Sequence, residues 1–329
     1  MQKILNNPSR VVDEMLQGFA KCHADRIVKT ADSRVFRQKA QVIGKKVGVV
    51  SGGGTGHFPA FIGYLKPYML DVAAAGEIFK APPAETFYHA FKEADQGMGV
   101  ICIHGNYPLD NEGVTGAIEM AAADGIRVRR IVVNEDAATI PEDGSRENSR
   151  GLAGEVLLWK IAGTAAAEGK SLDEIAELCQ RANDATRSIG VALSACIIPA
   201  VGTPNFDVIE GTMEFGIGHH GDPGLSTYKL RPAKQIAELV LRELLRTGFS
   251  AGDSCAALVS GLGSTTQMEL YILYNSIADI LKNRDINVKL SYVGNYFTSL
   301  DMQGASVTLM KLDDEIERLI RAHEDICLL

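Results

Sequence analysis

The chain has 329 residues, 46% of them hydrophobic and only 6% aromatic, and a formal net charge of -8. That length can bury one large core or two smaller ones, and an acidic surface with scattered Lys and Arg argues against nucleic acid or an anionic membrane as the main partner. The cysteines, Cys22, Cys102, Cys179, Cys196, Cys255 and Cys327, stand far apart with no CxxC, so neither a zinc ribbon nor a redox pair fits their spacing. With no signal peptide and no apolar run of spanning length, the expected compartment is the reducing cytoplasm.

From the N-terminus, residues 8–22 carry helical periodicity through Val11, Val12, Met15, Leu16 and Phe19, with Ser9 as the expected cap. Lys46–Ser51 reads as a short buried strand running straight into Gly52-Gly-Gly-Thr-Gly-His-Phe-Pro. A dinucleotide fingerprint starting at Gly52 needs glycine where His57 stands, and a Walker A loop needs Gly-Lys where His57-Phe58 stand, so both fail. What remains is a glycine-rich turn with exposed backbone N–H groups and a histidine at the mouth of a helix, suited to an oxygen-rich ligand. Leu70–Ala74 reads as a strand, Gly76-Glu-Ile-Phe-Lys-Ala-Pro-Pro as a turn, and 83–95 as a helix.

Met98–His104 is the next buried strand; it opens into the loop Gly105-Asn-Tyr-Pro-Leu-Asp-Asn-Glu-Gly before a helix over 112–124. Asp110 lies in that loop, past a strand end, where open α/β sheets hold their ligands; an N-capping carboxylate is the other reading. Val128–Val133 is a strand, Glu135–Arg150 an acidic surface loop, and Gly151–Ala167 and Leu172–Ser188 two amphipathic helices, the first bearing the only tryptophan, Trp159. The strand–helix alternation pauses there. We therefore expect two α/β lobes with mixed sheets flanked by helices, 1–185 and 186–329.

The second half reads as strand Gly190–Ile198, loop 199–210, then GTMEFGIGHHGDPG over 211–224. Helix 232–247, strand Cys255–Ser260, a glycine turn into helix 266–283, strands near Val288–Val293 and Ser306–Leu312, and helix 313–322 complete it. Glycine and proline around His219-His220 make a turn poor in side chains, into which a small ligand can come close. Adjacent histidines on a strand would face opposite ways, and no HExxH or HxH is present, so a shared metal has little support. No Gly-x-Ser-x-Gly elbow supports serine hydrolysis. His57, Asp110 and His220 instead suit nucleophilic and acid–base chemistry on a small carbonyl-bearing ligand.

Five stretches carry a resemblance: GGGTGH (52–57), GEIF (76–79), NYPLD (106–110), FGIGHHGDPG (215–224) and TSLDM (298–302). Together they resemble the substrate-binding K subunit of dihydroxyacetone kinase, in order and over essentially the whole chain. The resemblance implies a dimeric subunit of two α/β lobes. It implies that His220 binds a ketone as a covalent hemiaminal, with Asp222 where the family has glutamate. It implies that His57 and Asp110 act on the substrate hydroxyl and that the loop Gly53, Gly54, Thr55 and Gly56 holds the substrate. It places the nucleotide, ATP or ADP with Mg, on a separate L subunit or an appended helical domain, the L partner being charged by ATP or by a phosphotransferase-system M protein, so this chain is expected to carry no cofactor or metal of its own and to be silent alone.

The departures are Gly105 where the family often has lysine, Pro108-Leu109 where Thr-Gly is common, and Lys80-Ala81 in place of a hydroxylated pair. All remove hydrogen-bonding groups around the substrate, so erythrulose, apulose or another short ketose stands beside dihydroxyacetone. Two further functions remain open: a ketose sensor serving as a co-activator, and an aldose–ketose isomerase using the same carbonyl, acid and base.

Overall fold

Near-continuous apolar runs such as Gly48–Gly53 and Val100–Gly105 must be covered on both faces, and helices do this. The computed structural model describes residues 2–40, 45–246, 248–323 and 326. Its first sheet has the order β1 (Ile27–Lys29), β2 (Val35–Gln38), β4 (Val72–Ala75), β3 (Gly48–Gly53), β5 (Val100–Gly105), β6 (Val128–Val133). The four strands from β4 to β6 run parallel, and β1 and β2 add an antiparallel edge. One face packs Val50, Val72, Val100 and Cys102 against α2 (Ala84–Ala94) and α3 (Pro108–Ala123). The other packs Val49, Ile101 and Ile103 against α4 (Glu155–Ala167) and α5 (Leu172–Asp184).

The second sheet has the order β11 (Asn287–Gly294), β10 (Ser254–Gly261), β12 (Gly304–Lys311), β7 (Thr186–Ala192), β8 (Thr212–Phe215), β9 (Ser226–Lys229). Only β10 and β11 pair in parallel. Its helices are α6 (Ala233–Arg246) and α7 (Gln267–Asn283), while α8 (Asp314–Arg321) closes the fold beside α4; α1 (Val11–Cys22) sits before the first sheet. One apolar cluster spans both sheets, joining Val49, Ile101 and Trp159 to Ala256, Leu258 and Met310. The expected class, mixed α/β sheets flanked by helices, is what forms. Among the described residues no helix is long and apolar enough to cross a membrane.

Several local expectations change. Ser9 does not cap the first helix: Pro8 starts a 3₁₀ turn, and Asn7 caps it by accepting the Ser9 N–H at 3.0 Å. Residues 105–111 are not all loop, because α3 begins at Pro108, whose fixed φ and missing N–H suit a first helical position. Asp110 therefore lies in the first helical turn, and it does not cap the helix, since Tyr107 holds the cap position. The acidic stretch 135–150 is not all surface, as Glu135, Asp136 and Ser149 are buried. Helix α4 is buried all round rather than amphipathic, lying between the first sheet, α5 and α8. The helix expected to end at Ser188 ends at Asp184, since Thr186, Ser188 and Ile189 pair with β12 and start β7 four residues before Gly190. Cys102, Cys179, Cys196 and Cys255 are buried and Cys22 is exposed; Cys327 lies outside the described residues.

Trp159 anchors the shared core, with ring centroids 5.0 Å from Tyr64 and 5.6 Å from Phe61. Trp159→Ala should destabilise the fold by about 3–5 kcal/mol, read as a fall in the urea midpoint at unchanged slope.

Candidate functional site

Parallel strands β3 and β5 end side by side at Gly53 and Gly105, and each opens directly into a motif loop. After β3 the chain makes a 3₁₀ turn, Thr55–His57, which buries His57. The space that a Cβ on Gly56 would take lies 2.4 Å from the Phe79 ring, and that of Gly54 lies 2.8 Å from the Phe79 backbone. The loop glycines thus admit the Gly76–Phe79 turn, with Phe79 itself held at a left-handed φ of 55°. Thr55 N donates to Glu77 O at 3.1 Å, and Thr55 Oγ1 is buried with no partner among the described residues.

The second sheet supplies the other wall. Residues 216–224, following β8, form a turn with Gly221 at φ 83° and His220 at its tip. The segment 298–300, following β11, binds both halves of the site: Leu300 N donates to Gly56 O at 2.8 Å, Thr298 Oγ1 donates to Phe58 O at 2.8 Å, and the Ser299 hydroxyl donates to the His219 carbonyl.

These turns bring His57 and His220 face to face, Nε2 to Nε2 at 2.9 Å with rings stacked at 4.9 Å. Thr298 O is a carbonyl and can only accept, so His57 donates from Nδ1, at 2.8 Å. The His57 Nε2 is then a lone pair, and the proton in the inter-histidine bond belongs to His220. Burial, followed by the neighbouring imidazoles His220 and His219, holds His57 far below the usual imidazole range. Burial also lowers His220, partly opposed by the Asp222 carboxylate. Both rings are therefore neutral near pH 7.

Asp110 is 8% exposed, its Oδ1 has no partner among the described residues, and it lies 3.6 Å from where a Cβ on Gly53 would sit. Burial raises its carboxyl to about 7. Tyr107, between Asp110 and β5, lays its ring 4.5 Å from that of His220 and donates its hydroxyl to Gly151 O at 3.2 Å. Among the described residues no group of three or more His, Cys, Asp or Glu is placed to hold a metal.

His219 is not on a strand opposite His220; it shares the same turn and is buried against Phe297, 5.0 Å between ring centroids. Sequence reasoning missed Arg150. Its guanidinium holds the carbonyls of Gly216 (2.7 Å) and Pro223 (3.2 Å), clamping the two ends of the histidine turn, and it is itself paired with buried Asp136 at 2.7 Å. No motif marks it, because its partners are backbone atoms 66 and 73 residues away. A cleft of ≈ 780 Å³ reaches Thr55 and Gly56 from the side of Lys3 and Asn295. Neither His57, Asp110 nor His220 lines it.

The Dak1 domain family model matches residues 17–327. The chain is 41% identical to the "PTS-dependent dihydroxyacetone kinase 1, dihydroxyacetone-binding subunit DhaK" of Listeria innocua, covering 96% of this chain and 95% of that one. It is 36% identical to an L-erythrulose 1-kinase of Mycolicibacterium smegmatis, over 97% of this chain but 56% of that protein. Among solved structures, a dihydroxyacetone kinase operon co-activator superposes with a TM-score of 0.86 at 32% identity, covering 94% of this chain and 95% of that one.

The raised Asp110 carboxyl has a consequence for stability. A carboxyl whose folded value lies above its unfolded value favours folding at low pH and loses that contribution as pH rises toward the folded value of about 7. Asp110→Asn removes the charge that must be buried. Its gain in unfolding free energy over wild type should grow between pH 5 and pH 8, by no more than about 3 kcal/mol. Denaturant titrations at the two pH values would show it; an equal gain at both would contradict the burial of Asp110 as a charge at high pH.

Proposed function

The chain belongs to the Dak1 domain family, and on that footing we propose that it is the ketose-binding subunit of a dihydroxyacetone-type kinase, holding a short ketose on His220 as a hemiaminal. The observation that supports this most is the 2.9 Å Nε2–Nε2 contact between His220 and a His57 whose tautomer is set by Thr298 O. As His220 Nε2 bonds to the ketone carbon, its proton passes to His57 Nε2 and from there to the carbonyl oxygen. An N–H and a C=O become an N–C bond and an O–H, and both imidazoles end neutral. A polyol without a carbonyl cannot make this bond, so glycerol is refused.

Asp110 is then the base for the primary hydroxyl, since its Oδ1 is free for a ligand while His57 Nε2 faces His220. The covalent bond fixes that hydroxyl for in-line attack on a phosphoryl donor, which is positioning catalysis. Gly53, whose Cβ position lies 3.6 Å from Asp110 Oδ1, brings the glycine loop, Gly53–Gly56, to the ligand, and Arg150 keeps the histidine turn in shape. The phosphoryl group comes from an L subunit bearing ATP or ADP with Mg. The relative in Listeria innocua is PTS-dependent by name, which supports a partner recharged through a phosphotransferase-system M protein. We read the chain as a cytoplasmic homodimer, each copy of two lobes, 1–185 and 186–329, divided where α4 and α5 separate β6 from β7.

A ketose sensor is the second reading, favoured by the superposition on an operon co-activator. Mixing the chain with an L subunit, ATP or a phosphorylated M protein, and a ketose panel decides between them. We expect phosphorylated ketose; none with any donor leaves the sensor, and proton exchange at the substrate carbon without a donor would indicate an isomerase.

With a ketose labelled with ¹³C at the carbonyl, wild type should convert the carbonyl resonance to a tetrahedral one, and His220→Ala should not. Asp110→Asn should keep the adduct yet lower the transfer rate by about 10²–10⁴-fold. The wild-type transfer rate should climb with pH through an apparent value of about 7, as Asp110 ionises; a flat profile would remove Asp110 from that role.

A further inference from the structure

One buried acid beside the site has no assigned task. Glu155 opens α4, is 2% exposed, and its Oε2 has no partner among the described residues. Its Oε1 lies 2.6 Å from where a Cβ on Gly105 would stand, and the Tyr107 ring lies 3.4 Å from that same point. Gly105 thus leaves room for a carboxyl group at the end of β5, next to the ring that packs on His220. Asp110 Oδ1, also without a partner, belongs to the helix that follows Tyr107.

Its neighbour Glu135 makes the contrast clear. That carboxylate accepts N–H groups from Leu152 and Gly154 at 3.0 and 2.9 Å and the Ser188 hydroxyl at 2.9 Å, so it binds the α4 entrance to β7. Glu155 does nothing comparable. A buried carboxyl left without hydrogen bonds destabilises the fold, and an apolar side chain would fill the volume without that penalty. The arrangement makes sense if a ligand supplies the partner.

We infer that Glu155 is a specificity-determining residue, hydrogen-bonding a hydroxyl beyond the three-carbon core of the ketose, so that the site selects a polyhydroxylated ketose of four or more carbons over dihydroxyacetone. This rests on the ketose-binding reading above. Burial, with Glu135 and Asp110 adding negative charge, pushes the Glu155 carboxyl well above the usual range. A carboxyl accepts a hydrogen bond from a sugar hydroxyl and, in its protonated form, also donates one. Dihydroxyacetone has a carbonyl for His220, one hydroxyl for Asp110 and one more; a fourth carbon adds a third hydroxyl, the group assigned to Glu155.

The test uses the full chain without its partner and the carbonyl-labelled ketoses, with the tetrahedral resonance as the measure of binding. Wild type should bind erythrulose more tightly than dihydroxyacetone. Glu155→Leu should weaken erythrulose about tenfold and dihydroxyacetone less than about threefold. Glu155→Gln, which keeps a donor and an acceptor, should keep the preference. Gly105→Ala, whose new methyl must displace the Glu155 carboxyl, should lose it as the Leu variant does, and it serves the same purpose if Glu155→Leu does not fold. Equal weakening of both sugars, no change in either, or a preference lost in Glu155→Gln overturns the inference and leaves ketose binding standing. Wild type forming no adduct with any ketose would take down both.

Discussion

The site depends on one hydrogen bond between two neutral imidazoles. A histidine acts as a nucleophile only while it is uncharged and only if its proton has somewhere to go. Thr298 O settles the second condition through His57: a carbonyl accepts, so the His57 proton stays on Nδ1 and Nε2 faces His220 as a base. Burial keeps the pair from charging, because a cation there would lose its water and the nearby Asp222 carboxylate only partly compensates. A surface histidine pair would titrate near neutral pH and lose this directionality.

Keeping that bond in place requires the two sheets to be held together. His57 follows a strand of the first sheet, His220 a strand of the second, and Thr298 a different strand of the second. The hydrogen bonds of 298–300 to Gly56, Phe58 and His219, and the clamp of Arg150 on the histidine turn, fix these loops against each other. The apolar cluster running through Trp159 makes the sheets one packed body beneath them. The left-handed backbones of Phe79 and Leu300 lie in the turns that meet the glycine loop, where local strain is offset by the packing around it.

How much of this could be read in advance follows from what a sequence encodes locally. Strand β6 and the runs at β3 and β5 show as apolar stretches, and α7 stands where the sequence places a helix, after the glycine turn that follows β10. His57, Asp110 and His220 stand in glycine-rich or motif loops past strand ends, and the fold brings His57 to His220 directly. The short strands β1, β2 and β9 escape notice because three or four residues carry too little pattern, and the burial of α4 escapes it because the neighbours on its second side come from elsewhere in the chain. Arg150 and Glu155 are invisible for a related reason: the first reads as part of a polar loop, the second as an ordinary helix residue, and their meaning lies in Gly216 and Gly105, far off in sequence.

Unpaired polar atoms in and beside the motif loops reconcile a stable fold with a site that must still do something. Thr55 Oγ1, Asp110 Oδ1 and Glu155 Oε2 all lie buried without partners, while Glu135 and Asp136, equally buried, are bonded. The bonded acids hold loops in place; the unbonded groups cost stability and, on the proposed reading, are satisfied by a ligand rich in hydroxyls. Such a division favours discrimination over tight binding, because a sugar lacking one hydroxyl leaves a buried group unsatisfied and loses far more than a missing methylene would cost. On the proposed reading it also accounts for one scaffold serving ketoses of different length: His220 and Asp110 would be tied to the carbonyl and the reacting hydroxyl, whereas the residues under Gly105 would be free to vary with the rest of the sugar.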